Sequence, residues 1–219
     1  MAQDLFKFEL QGWTGKPVYK NLSMYEVFLM SRVKGAKNVY QGWLYDTNTV
    51  AATPTTTTQV LYFTVPKGQA VSGGAAKTAA LTNLDVGGQL TGVNAFQIRS
   101  WVVKMQDLTL SANARLVQGG AFSLLINSTL IPDPIPVEMI LGGASILESV
   151  RAPAAAPEFR SIGGPGNITN VLSFTRPFLV TIDPGDTFNV TMDFPGGIAP
   201  TESIQLRVVL FGRRAKPVM

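Results

Sequence analysis

Phe178-Leu179-Val180-Thr181-Ile182-Asp183-Pro184-Gly185-Asp186-Thr187-Phe188-Asn189-Val190-Thr191-Met192-Asp193-Phe194 is the stretch on which the fold turns. From Thr187 onward the apolar residues Phe188, Val190, Met192 and Phe194 alternate strictly with Thr187, Asn189, Thr191 and Asp193. A period of two is the signature of a strand with one buried face. Upstream, Phe178 to Ile182 reads as a second strand, ended by Asp183-Pro184-Gly185-Asp186. Pro followed by Gly suits the central positions of a type II turn, because Gly accepts the positive φ required there. Strand, turn, strand is the reading.

The same logic extends in both directions. Ile204, Leu206, Val208 and Leu210 form one face of a strand beginning at Ser203. Phe96-Gln97-Ile98-Arg99 alternates, then the phase slips, and Trp101, Val103 and Met105 carry the apolar face onward. Such a slip predicts a β-bulge. Further strands are expected at Leu5–Leu10, Val39–Tyr45, Val60–Val65, Ala121–Ile126 and Val137–Leu141. Ile131-Pro132-Asp133-Pro134-Ile135-Pro136 is expected to cross between sheets as an extended corner, since its three prolines cannot sit inside a ladder. Asn21 to Met30 reads as a short helix capped by Asn21 or Ser23. Thr53–Thr58, Gly68–Ala80 and Ala152–Pro157 are low in apolar surface and read as surface loops or arms.

Many short strands with Pro/Gly-rich connections and at most one helix predict an all-β, antiparallel β-sandwich or barrel. Several connections are too long for a meander, which favours Greek-key or jelly-roll wiring. The whole of 1–219 is expected as one domain, with 1–37 a candidate N-terminal arm and 38–219 the sandwich core.

The chain has no histidine and no cysteine. That removes the Ser-His-Asp triad, the Cys-His dyad, the zinc finger and the disulfide. Charged residues make up 15%, against roughly 25% in an ordinary soluble domain. A surface so short of charge suits a subunit that hides its exterior against neighbours, or a monomer with a Ser/Thr/Asn/Gln-rich exterior. The net charge of +4 is mild and does not by itself indicate nucleic acid. No apolar run of about 18 residues occurs, and Met1–Lys7 lacks the pattern of a signal peptide, so folding in a cytoplasm is expected. Sequons at Asn21, Asn127, Asn167 and Asn189 then read as coincidental.

Candidate sites are few. Asp183 and Asp186 flank a turn, where Asp commonly holds backbone amides. Glu138, Glu148 and Glu158 share no spacing, and no oxygen-ligand calcium loop occurs. Gly73-Gly74 and Gly163-Gly164-Pro165-Gly166 lack the Lys-Ser/Thr of a phosphate loop and read as turns. No catalytic residue, metal or cofactor is expected. Arg213, Arg214 and Lys216 form the densest cationic cluster, with no acidic residue after Glu202. They are candidates for contact with nucleic acid, anionic lipid or a neighbouring subunit, or a plain basic end that aids solubility. Trp13, Trp43 and Trp101 read as core or interface anchors.

From Asn94 to Val218 the pattern resembles the jelly-roll structural proteins of icosahedral bacteriophages and related viruses. The residues that carry it are Phe96-Gln97-Ile98, Leu124-Leu125-Ile126-Asn127, the proline corner, Phe178 to Val190 with its Pro-Gly-Asp turn, and a last strand ending Leu210-Phe211-Gly212-Arg213-Arg214. The first 90 residues carry none of it. The resemblance implies a single jelly-roll with elaborated loops and an N-terminal extension, and a capsid or virion protein that self-assembles into an icosahedral shell. It implies copies of itself and other virion proteins as partners, contact with the packaged genome or an internal membrane, and residence in the virion. The competing expectation is a carbohydrate- or receptor-binding sandwich of a phage fibre or decoration protein, with Trp13, Trp43 or Tyr45 stacking on sugars. An enzyme working by carboxylates alone stands third, and a transmembrane barrel is disfavoured by the proline corner.

Overall fold

The computed structural model describes residues 24–34, 36–70, 74–92, 94–105, 117, 119–131, 134–137, 145–146, 161–162, 172–173, 180–201 and 203–217. The expected strand at Leu5–Leu10, Trp13, the loop at Ala152–Pro157, the Gly163–Gly166 turn, Glu138, Glu148 and Glu158 lie outside them.

Among the described residues helix α1 (Met24–Ser31) precedes twelve strands: β1 (Ala36–Val50), β2 (Thr57–Tyr62), β3 (Ala95–Met105), β4 (Ala121–Ile126), β5 (Thr129–Leu130), β6 (Ile135–Pro136), β7 (Ser145–Ile146), β8 (Ser161–Ile162), β9 (Leu172–Ser173), β10 (Val180–Ile182), β11 (Phe188–Ile198) and β12 (Ile204–Pro217). One antiparallel sheet, A, runs β1-β12-β3-β10, with β9 also on β3; the other, B, runs β2-β11-β4-β5, with β6 also on β4. β7 and β8 pair with each other. The chain is therefore mostly β, with two antiparallel sheets packed face to face.

The period-two pattern builds this sandwich directly. Along β11 burial alternates from Phe188 to Phe194, and Phe188, Val190, Met192 and Phe194 enter a core shared with Val60, Tyr62, Phe122 and Leu124 of the same sheet. From sheet A come Leu44, Phe96, Ile98, Trp101, Val103 and the face Ile204, Leu206, Val208, Leu210 of β12. The Trp101 and Phe122 rings meet across the layers at 5.0 Å between centroids. Side chains from two inner faces interdigitating in this way are what hold a sandwich together.

The bulge falls where the phase slip placed it. Ser100 pairs with Phe211 but Ile98 pairs with Gly212, so Arg99 is the extra residue on β3. That restores Phe96 and Ile98 to the core face. At Gly212 the chains approach so closely that a Cβ would overlap the Gln97 carbonyl oxygen.

Four expectations change. β2 stops at Tyr62 rather than Val65, because Phe63 adopts φ 65° and turns its N–H to the Asp46 carboxylate at 2.7 Å. The described end of the proline corner stays with sheet B: Ile135 and Pro136 of β6 pair with Phe122 and Ala121 of β4, leaving Pro136 on an edge where a missing N–H is tolerated. The expected basic end is no tail, since β12 continues through Arg213, Arg214 and Lys216, held by β1 throughout and by β3 as far as Ala215. The Gly68–Ala80 stretch is exposed at most described positions, yet its Lys77 is buried.

Helix α1 falls within the Asn21–Met30 expectation, shifted by about one residue at its C-terminal end. Its Leu29, with Val33 just beyond, packs on Ala95 and Ala215, covering part of the outer face of sheet A. In the Pro184-Gly185 turn Gly185 takes φ 89°, and the Asp183 N–H donates to Asp186 Oδ2 at 2.8 Å. Asp186 thus caps the turn, while the Asp183 carboxylate pairs with Arg32 at 2.9 Å instead.

Candidate functional site

The three predicted cations sit together on β12 but do not share one surface. Strand alternation sends Arg213 to the outer face, in register with Gln41 and Gln97, while Arg214 lies in register with Tyr40 and Phe96 on the opposite face. Arg213 pairs with Glu26 of α1 at 3.0 Å, both only slightly exposed. That contact ties the helix to the sheet. Arg214 Nε is buried without an acceptor, and Lys216 is exposed. One of the three is spent internally, so the cluster presents less charge than its sequence suggests.

The tryptophans divide. Trp101 is fully buried in the core, whereas Trp43 is 57% exposed on the outer face of edge strand β1. Its cross-strand partner is Phe211, and Tyr45, two residues on, packs against Val102 and Val209. Arg207 lies over the Tyr45 ring at 5.6 Å and donates to Thr47 Oγ1 and to the Ala80 carbonyl. The edge of β1 beside Trp43 is closed by Asn83, whose side chain donates to the Trp43 carbonyl at 2.7 Å and accepts from the Tyr45 N–H at 3.0 Å. The Asn127 sequon is also engaged: Nδ2 donates to Asp186 Oδ1 at 2.7 Å and Oδ1 accepts the Thr187 N–H.

The most unusual chemistry lies where no motif pointed. Asp46 occupies an inner-face position of β1, in register with Val208. Lys77, on the crossover between β2 and β3, donates to Asp46 Oδ1 at 2.6 Å, with side-chain exposures of 3% for Lys77 and 0% for Asp46. Oδ2 accepts the Phe63 N–H, and the Thr82 side chain also bonds to the carboxyl. Burial raises the Asp46 pKa above its ordinary value, against the opposing pull of Lys77 and the other hydrogen bonds. Beside this pair Tyr62 is fully buried, and its hydroxyl has no hydrogen-bond partner. Burial first, and the Asp46 charge second, push the phenol upward. A signal for the carboxylate was present in Leu44-Tyr45-Asp46, where an acid falls at the parity of the core residue Leu44. Nothing in the sequence marks Lys77 as its partner.

Among the described residues no three His, Cys, Asp or Glu side chains gather as a metal site, and no helix is long and apolar enough to cross a membrane. No family model, no curated protein and no solved structure matches this chain.

Proposed function

We propose that the chain is a jelly-roll structural protein of a virion, a capsid-type subunit that works by self-association. The observation that carries the reading is the wiring. β1, β3, β10 and β12 belong to sheet A and β2, β4 and β11 to sheet B, in the orders β1-β12-β3-β10 and β2-β11-β4. Leaving aside the short strands, successive strands thus change sheet at nearly every step, and the last two insert beside the first two. A jelly-roll is wound in this way. The low charge content and the exposed Trp43, Leu61 and Leu130 agree with a surface that meets copies of itself. Sedimentation velocity and electron microscopy over a concentration series test it. Discrete oligomers or shells are expected, and a monomer at every concentration, absent from any particle, refutes it.

A second reading, a carbohydrate-binding module of the same architecture, is favoured by the Trp43–Phe211–Tyr45 surface. Binding on a glycan array that disappears in Trp43→Ala would support it. A silent array removes it.

A further inference from the structure

We infer that Lys77 and Asp46 are built to condense into an intramolecular amide, a covalent cross-link between the β2–β3 crossover and strand β1. The inference is independent of the shell reading and rests on three observations at one place. Amine and carboxyl are in direct contact at 2.6 Å and almost wholly removed from water. The carboxyl is held in a single orientation, with Oδ2 on the Phe63 N–H and a further bond from Thr82. A third polar group, the Tyr62 hydroxyl, is buried alongside without a partner.

Proximity and fixed orientation convert a sluggish bimolecular condensation into an intramolecular step. Exclusion of water also opposes the reverse hydrolysis. In the reacting form the shared proton sits on Asp46 Oδ1, leaving Nζ with its lone pair, and burial favours that uncharged carboxyl. Nζ attacks Cγ and forms the N–C bond. Negative charge gathers on Oδ2, where the Phe63 N–H receives it as an oxyanion donor. The Cγ–Oδ1 bond then breaks. Oδ1 departs as water, carrying the proton it already held and one from the nitrogen. The balance is amine plus carboxylic acid giving amide plus one water, with no oxidant or co-reactant. The product is one neutral amide, free of the desolvation cost that the ion-paired form of the two groups carries.

Intact-mass measurement of the purified full chain tests this directly. The expected mass is lower than the sequence mass by one water. Tryptic digestion is expected to yield residues 38–67 joined to residues 68–99, uncut after Lys77, with the link read by fragmentation between Lys77 and Asp46. Lys77→Arg is expected to restore the full mass. Asp46→Asn is expected to give the same linked peptide with loss of ammonia instead of water. A wild-type chain at full sequence mass, with peptides cleaved after Lys77, overturns the inference. A lost water that maps elsewhere, such as a succinimide, overturns it equally.

Discussion

The centre of the sandwich and its crossover corner solve the same problem by opposite means. At the centre, Trp101, Phe122, Leu124, Val190 and Leu210 bury apolar surface supplied by regular alternation along four strands. At the corner, an irregular segment delivers a lysine onto an aspartate that strand β1 has aimed inward. The first arrangement draws its stability from area removed from water. Until its amine and carboxyl condense, the second must offset the cost of burying charge, and succeeds only while every partner is in place. Losses at the centre should therefore scale with volume, and losses at the corner with charge.

The hardest blow to the centre is Trp101→Ala. It removes the ring that packs on Phe122 and leaves a cavity between the sheets, costing about 3–5 kcal/mol in urea unfolding. That loss should not depend on pH.

Lys77→Met is expected to cost about 3 kcal/mol near neutral pH, because Asp46 is left charged and uncompensated. Here pH discriminates. Burial already holds the Asp46 pKa above 3.8, and loss of the lysine raises it further. A raised carboxyl stabilises the folded state below its unfolded pKa, and that stability disappears as pH rises through the folded value. The variant should accordingly recover stability as pH falls toward 3.8, followed by chemical denaturation across an acid series. A pH-independent penalty would make the corner an ordinary packing site.

Gly212→Ala probes the bulge that lets both regions share β12. The added methyl overlaps the Gln97 carbonyl, so a loss of about 1–3 kcal/mol is expected from thermal unfolding. Glu26→Ala should be the mildest, at or below about 1 kcal/mol, since its pair with Arg213 lies at the periphery. A larger loss would show that α1 anchors the sheet more firmly than its small cluster on Ala95 and Ala215 implies.

Much of the centre was legible beforehand because local periodicity and burial coincide there. The alternation from Phe188 to Phe194, the slip before Trp101 and the Pro-Gly turn each reappear in the structure, although the strands on either side of that turn join different sheets. The basic cluster was legible as charge but not as geometry. Whether Arg213 meets solvent or Glu26 depends on where a helix nearly two hundred residues earlier comes to rest. The Gly- and Ala-rich composition around Lys77 points to surface, yet composition averages over a segment while burial is decided side chain by side chain.

Residue type and spacing alone account for the buried faces of the long strands β11 and β12 and for the absence of histidine or thiol chemistry. Which strands lie side by side, which cations are spent on internal pairs, and the meeting of Asp46 with Lys77 away from water emerge only in the folded chain. Those outcomes require contacts between residues far apart in the chain, and no local pattern encodes such a meeting.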